Sequence, residues 1–216
     1  MRKYAKVIVG VAAAAALVTT VAACSSDKPS PVGAFKTLSG NSTSVKLDTG
    51  FATAITQLGV KPGLIGTAKL DSATGTLSFP ITGGHVTVYK KGDVTPYVQG
   101  TVDHQGSGFT LAAGGKTVGL QNFVIDPGDN SKLTGDVTLN GKSVVKDAKL
   151  FDLDGSTLQT PTISSAGVAT LTGTTVYLSQ DAASLLNKTF GITALKGGDK
   201  TGTKIGVATI EATGTA

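Results

Sequence analysis

The sequence is short of several residue types, and each shortage excludes something. It has one Cys, one Met and no Trp, with 5% aromatic and 15% charged residues over 216 positions. A single Cys rules out a disulfide framework and any Cys-based zinc or iron–sulfur site. So low a charge content does not fit a highly charged disordered chain. The only Arg is Arg2. A chain without Arg or Trp beyond its first residues lacks the bidentate fork for phosphates and the best stacking surface, so the sequence argues against nucleic-acid binding despite a pI near 9.3. No Gly-x-Ser-x-Gly motif and no close His pair is present, which leaves no signature of acyl-transfer or zinc chemistry, and the chain reads as non-enzymatic.

What is present begins with an address. Arg2, Lys3 and Lys6 are followed by an apolar run from Val7 to Ala23, which ends in Val21-Ala22-Ala23-Cys24. A basic start, an apolar stretch and small residues at its end describe an export signal spanning residues 1–23. The lone Cys placed directly after Ala-Ala resembles a bacterial lipobox. That resemblance implies cleavage before Cys24, a diacylglyceryl group with palmitate-type chains on its sulfur, and attachment to the extracytoplasmic face of the cell membrane. Two acyl chains on one residue meet the threshold for stable anchoring. Removing the leader takes the net charge from +5 to +2 and leaves 193 residues, enough for one cored domain. Residues 24–44 are rich in Ser, Pro, Gly, Asn and Thr and read as the acylated Cys with a flexible tether. The folded domain is expected at 45–216.

Within that domain most segments read as short strands. Thr76–Ile81, His85–Tyr89 and Tyr97–Val102 carry clustered or alternating β-branched and aromatic residues. Gly114-Gly115 separates Phe109–Leu111 from Thr117–Leu120, and it reads as a hairpin turn because a P-loop would need a further Gly where Thr110 stands. Asn140-Gly141 between two strand runs is the strongest short hairpin signal. Breaks every ten or so residues point to a mainly β fold, an antiparallel sandwich or barrel-like domain.

Two stretches depart from that pattern. Asp48–Gly59 and Ser179–Gly191 space apolar residues by three and four, with a capping residue before and Gly after. Each follows a Val-x-Leu strand end, so the chain is expected to use a strand–helix–strand unit near both ends of one domain. Asp126–Asn130 and Asp152–Gly155 hold closely spaced oxygen donors, but neither has the closing Glu of an EF-hand, and both read as solvated turns.

The order of these features resembles the Hta-type domain of actinobacterial surface proteins, named for haem-transport association. The residues that carry the likeness are Leu77-Ser-Phe79-Pro80-Ile-Thr-Gly83-Gly84, Gly100-Thr-Val102-Asp-His104-Gln-Gly106, Val118-Gly-Leu120-Gln-Asn-Phe123-Val124-Ile125-Asp126, Leu133-Thr-Gly135 and the closing Val176–Gly191 stretch. The resemblance implies haem as a ligand, held by a Tyr near the domain start with help from a His that corresponds to His104. The matching stretch, Phe51–Leu58, holds no Tyr, and Tyr97, seven residues before His104, is the tyrosine left to test as donor. The sequence thus points to an anchored binding or presentation module for haem or another apolar small molecule. Its alternative is an envelope structural or adhesive protein whose Thr- and Lys-rich faces contact a cell-wall component.

Overall fold

A computed structural model describes residues 28–215; the leader and Cys24 lie outside the described residues. The strands are β1 (Gly33–Phe35), β2 (Thr37–Leu47), β3 (Lys61–Gly66), β4 (Lys69–Asp71), β5 (Thr76–Pro80), β6 (Gly83–Val88), β7 (Val98–Ala113), β8 (Lys116–Asp126), β9 (Lys132–Leu139), β10 (Lys142–Asp154), β11 (Thr162–Ile163), β12 (Ala169–Leu178) and β13 (Lys204–Thr215). Helix α1 (Thr49–Gln57) follows β2, and α2 (Gln180–Phe190) follows β12. All thirteen strands belong to one sheet, ordered β1-β6-β7-β8-β9-β10-β12-β13-β2-β5-β4, with β3 added on β7 and β11 on β12. Every strand pairing is antiparallel. The sheet curls into a half-barrel, so of the two mainly β architectures expected, the barrel-like one is observed.

The turns follow their residues. Asn140 and Gly141 have φ of 50° and 78°, the positive pair that a two-residue hairpin between β9 and β10 requires. Gly114 and Gly115 likewise turn β7 into β8. Asp48 caps α1 by accepting from the backbone N–H groups of Gly50 and Phe51, and Ser179 caps α2 by accepting from Ala182. Gly191 closes α2 in the left-handed conformation. Both helices sit at one end of the half-barrel, beside the start of β13: Asp48 N–H donates to the Ile205 carbonyl and Leu178 N–H to that of Thr203.

The expected tether needs correction. Residues 33–44 are not a linker: β1 pairs with β6, and β2 pairs along its length with β13 on one side and β5 on the other. Phe35, Leu38 and Thr43 point inward and are buried. The domain therefore starts at Gly33. Ser, Thr and Asn in this stretch are compatible with a tether, but with an apolar or compact side chain at each inward position they make an equally good half-buried strand.

Long strands change partners along their length, and this gives the sheet its shape. The first half of β7 pairs with β6 and the second half with β3, the ladder to β8 shifting register between His104 and Gly108. Gly106 sits at this irregularity with φ of 75°, its N–H donating to Asn122 Oδ1 at 2.9 Å. A bulge here bends β7 and re-aims its side chains. Two buried clusters result: one near the helices around Ile55, Phe123, Leu150 and Leu186, the other near β1 and β6 around Leu38, Val88, Val98 and Val102.

Candidate functional site

The curled sheet encloses a cavity of about 380 Å³ that extends across both clusters. It follows β7 from Val98 past His104 to Leu111, and it is walled by Val45 and Leu47 of β2, Phe123 and Ile125 of β8, Val176 of β12 and Ile210 of β13. Phe51 and Ile55 of α1 close it at the helix end. The lining is almost wholly aliphatic and aromatic, with Phe79 packed edge-on against Phe123 at 5.3 Å between ring centroids. A second void of only about 30 Å³ separates the two helices.

His104 and Tyr97, the two residues expected at a ligand site, both line this cavity. They stand in opposite situations. His104 lies in the middle of β7, 1% exposed, with both ring nitrogens committed. Nδ1 lies 2.9 Å from the Pro80 carbonyl, which can only accept, so Nδ1 carries the proton. In the neutral ring Nε2 is then the acceptor, and Thr43 Oγ1 donates to it at 3.1 Å. Burial pushes the imidazole pKa below its ordinary value, against the opposing pull of the Pro80 hydrogen bond and the charge of Asp103. His104 is thus a neutral clasp tying β7 to β2 and β5.

Tyr97 is the reverse case. Its backbone is fixed, the carbonyl accepting from Tyr89 N–H at 2.7 Å, and Lys91 Nζ lies 5.7 Å from its ring centroid. Its phenolic oxygen is buried, yet no hydrogen-bond partner reaches it, the one such side-chain atom among the described residues. Burial raises its pKa, so the group is a neutral O–H donor. A buried hydroxyl without a partner is costly, about 1–3 kcal/mol, and natural interiors rarely leave one.

The cavity reaches solvent in two places. Thr95 and Pro96, beside Tyr97, form a mouth at the end opposite the helices. Midway along the wall, Leu64 of β3 and Leu70 of β4 line the cavity while 46% and 42% exposed. Sequence reasoning missed this opening. Its signal was two leucines beside lysines in short Gly-containing segments, Lys61-Pro-Gly-Leu64 and Lys69-Leu70.

The acidic turns are occupied by their own neighbours. Asp126 accepts from Gly128 N–H and pairs with Lys132 at 3.0 Å. Asp154 accepts from Ser156 and pairs with Lys200 at 3.3 Å. Burial draws both carboxyls up, but these bonds outweigh it and hold each below the usual carboxylate range.

No family model matches the chain, and no curated protein matches it. Among solved structures it is similar to the C-terminal domain of HtaA from Corynebacterium glutamicum, with a TM-score of 0.56 and 16% identity over 83% of this chain and 98% of that one. At that identity the likeness establishes the fold alone, and the fold is Hta-like.

Proposed function

We propose that this chain is a non-enzymatic binding and presentation module that holds an apolar small molecule inside its half-barrel. In this reading it works at the extracytoplasmic face of the membrane, tethered through a diacylated Cys24. The observation that carries the proposal is the apolar cavity of about 380 Å³, with one buried polar atom left without a partner, the Tyr97 hydroxyl, among its lining residues. Volumes of this order are those of small-molecule sites, which pair apolar walls with a few placed polar groups. The revised domain start shortens the tether to residues 25–32, so on the order of 30 Å of extended chain joins Cys24 to the sheet.

Haem, the ligand that the Hta resemblance implies, needs an axial donor. Tyr97 offers a free oxygen, whereas His104 would have to surrender its bond from Thr43 to reach iron. A haem cargo would therefore be carried by Tyr97 and not by His104. The test is a titration of the processed chain, residues 24–216 with Cys24→Ser, with hemin and separately with the neutral fluorophore N-phenyl-1-naphthylamine. Saturable one-to-one binding of either, with a rise in Tm, supports the module. At one hundred times Kd the gain is about 2.7 kcal/mol. No binding and no shift with either sinks the reading and leaves the envelope structural role. Membrane retention of full-length Cys24→Ser would overturn the anchor.

A further inference from the structure

We infer that the occupant is a single-chain amphiphile with an anionic head, its head bound at Tyr97 and its acyl tail running along β7 towards α1. This rests on the binding-module reading and narrows it. Three observations converge.

The first is polarity along the cavity. A hydrocarbon alone would leave the shielded Tyr97 hydroxyl unbonded, whereas an acceptor reached by a turn of that side chain would pair it, and the walls beyond offer few polar partners. A molecule polar at one end answers both. The hydroxyl is a donor, so the head must accept, as a carboxylate or phosphate does.

The second is charge at that mouth. Lys91 stands over the Tyr97 ring, and no described carboxylate lies within ion-pair reach of it. Of the acids near this end, Asp126 and Asp154 are each held by a lysine of their own, while Asp93 and Asp129 lie exposed to solvent. An incoming anion meets Lys91, a cation with no ion pair of its own among the described residues, over the Tyr97 ring.

The third is size and shape. An engineered apolar cavity of about 150 Å³ accommodates benzene. On that scale about 380 Å³ takes on the order of fifteen carbons. The lining residues of β7 run from Val98 past His104 to Leu111, so the cavity follows the bent strand from the Tyr97 end to the helix end. A cavity of that volume along a bent strand suits a flexible chain, whereas a porphyrin is a rigid plate with far more carbons. The sheet also receives its N-terminal strand at this end, since Val32 N–H donates to the Val88 carbonyl next to the Tyr89–Tyr97 pair.

Isothermal titration calorimetry of the processed chain (residues 24–216 with Cys24→Ser) tests this. The ligands are saturated fatty acids of about ten to sixteen carbons, their matching alcohols, and a lysophosphatidic acid as the phosphate head. One acid should bind per chain, and each pair of added methylenes should tighten Kd on the order of tenfold until the cavity is full. Acids should bind roughly tenfold tighter than alcohols, and Tyr97→Phe or Lys91→Gln should erase that preference. Tyr97→Phe removes only an unpartnered oxygen, so the fold should survive it. Tighter binding of the lysophosphatidic acid than of the equal-length fatty acid would assign the head as phosphate; the reverse would assign carboxylate. If the naphthylamine binds but affinity ignores chain length, or Tyr97→Phe leaves the acid preference intact, the amphiphile assignment is wrong while the module stands. If neither the naphthylamine nor any acid binds, the module reading falls as well.

Discussion

The margins of the curled sheet meet along a seam, and its two halves are built differently. In one half the linker Ile81–Thr82 lies between β2 and β7, Ile81 N–H donating to the Asn41 carbonyl and Thr82 N–H to that of Asp103. His104 crosses the same gap to Thr43 and Pro80. In the other half β3 hangs on β7 and β4 on β5, and no ladder joins β3 to β4. There the gap is filled by Leu64 and Leu70, which line the cavity and face water. One half closes the interior with buried polar bonds of fixed direction. The other covers it with apolar side chains that have no fixed partner, and such a boundary yields to a guest at small cost. The difference separates what holds the fold from what can admit a ligand.

Four experiments break or sharpen this contrast, the first with the largest effect. Deleting residues 28–40 removes β1 and the start of β2 from the stapled margin, and should abolish cooperative unfolding in urea; a deletion ending at Pro31 should leave it intact. His104→Ala creates a void and leaves Thr43 and the Pro80 carbonyl unpaired, at a cost of about 3–4 kcal/mol measured by denaturant unfolding. Thr43→Val, which removes one bond of the clasp, should cost about 1–2 kcal/mol.

The third experiment is a pH series. The folded imidazole is held neutral, its pKa below the value near 6.5 of the unfolded chain, so the unfolded state binds more protons once pH falls below that value. Stability is complete above about pH 6.5 and declines below it, by at most about 1.4 kcal/mol per pH unit from this group. His104→Gln should flatten that part of the profile. The smallest effect on stability belongs to the open half: Leu64→Ser and Leu70→Ser should each shift stability by no more than about 0.5 kcal/mol, while weakening uptake of an apolar probe. Equal losses of stability at Leu64 and His104 would erase the distinction between the halves.

The sequence revealed local features and concealed long-range ones. Asp48, Ser179 and Gly191 announced both helices, and Asn140-Gly141 announced a hairpin, because caps and tight turns are decided by a few adjacent residues. Residues 37–44 of β2 read as a tether because their support comes from β13, far along the chain, and from an inward pattern of Leu38 and Thr43 that is faint without its partners. His104 and Tyr97, the candidates the sequence offers, both line the cavity. Their division of labour was not legible, since it depends on which neighbours the fold brings within hydrogen-bond distance. The cavity belongs to no segment: seven or more strands wall it, and it exists only once the sheet has curled.

The pairing of β2 with β13 has a consequence in time. A chain emerging from its N-terminal end presents β2 early, yet the strand that flanks it along its whole length is the last to appear, with Thr37 opposite Thr215. Until then β2 has an exposed edge and the interior lacks a wall. Such non-local pairing makes for slow folding and an aggregation-prone interval. The ladder that completes the cavity wall in the finished molecule is, during folding, the one that waits longest for its second strand.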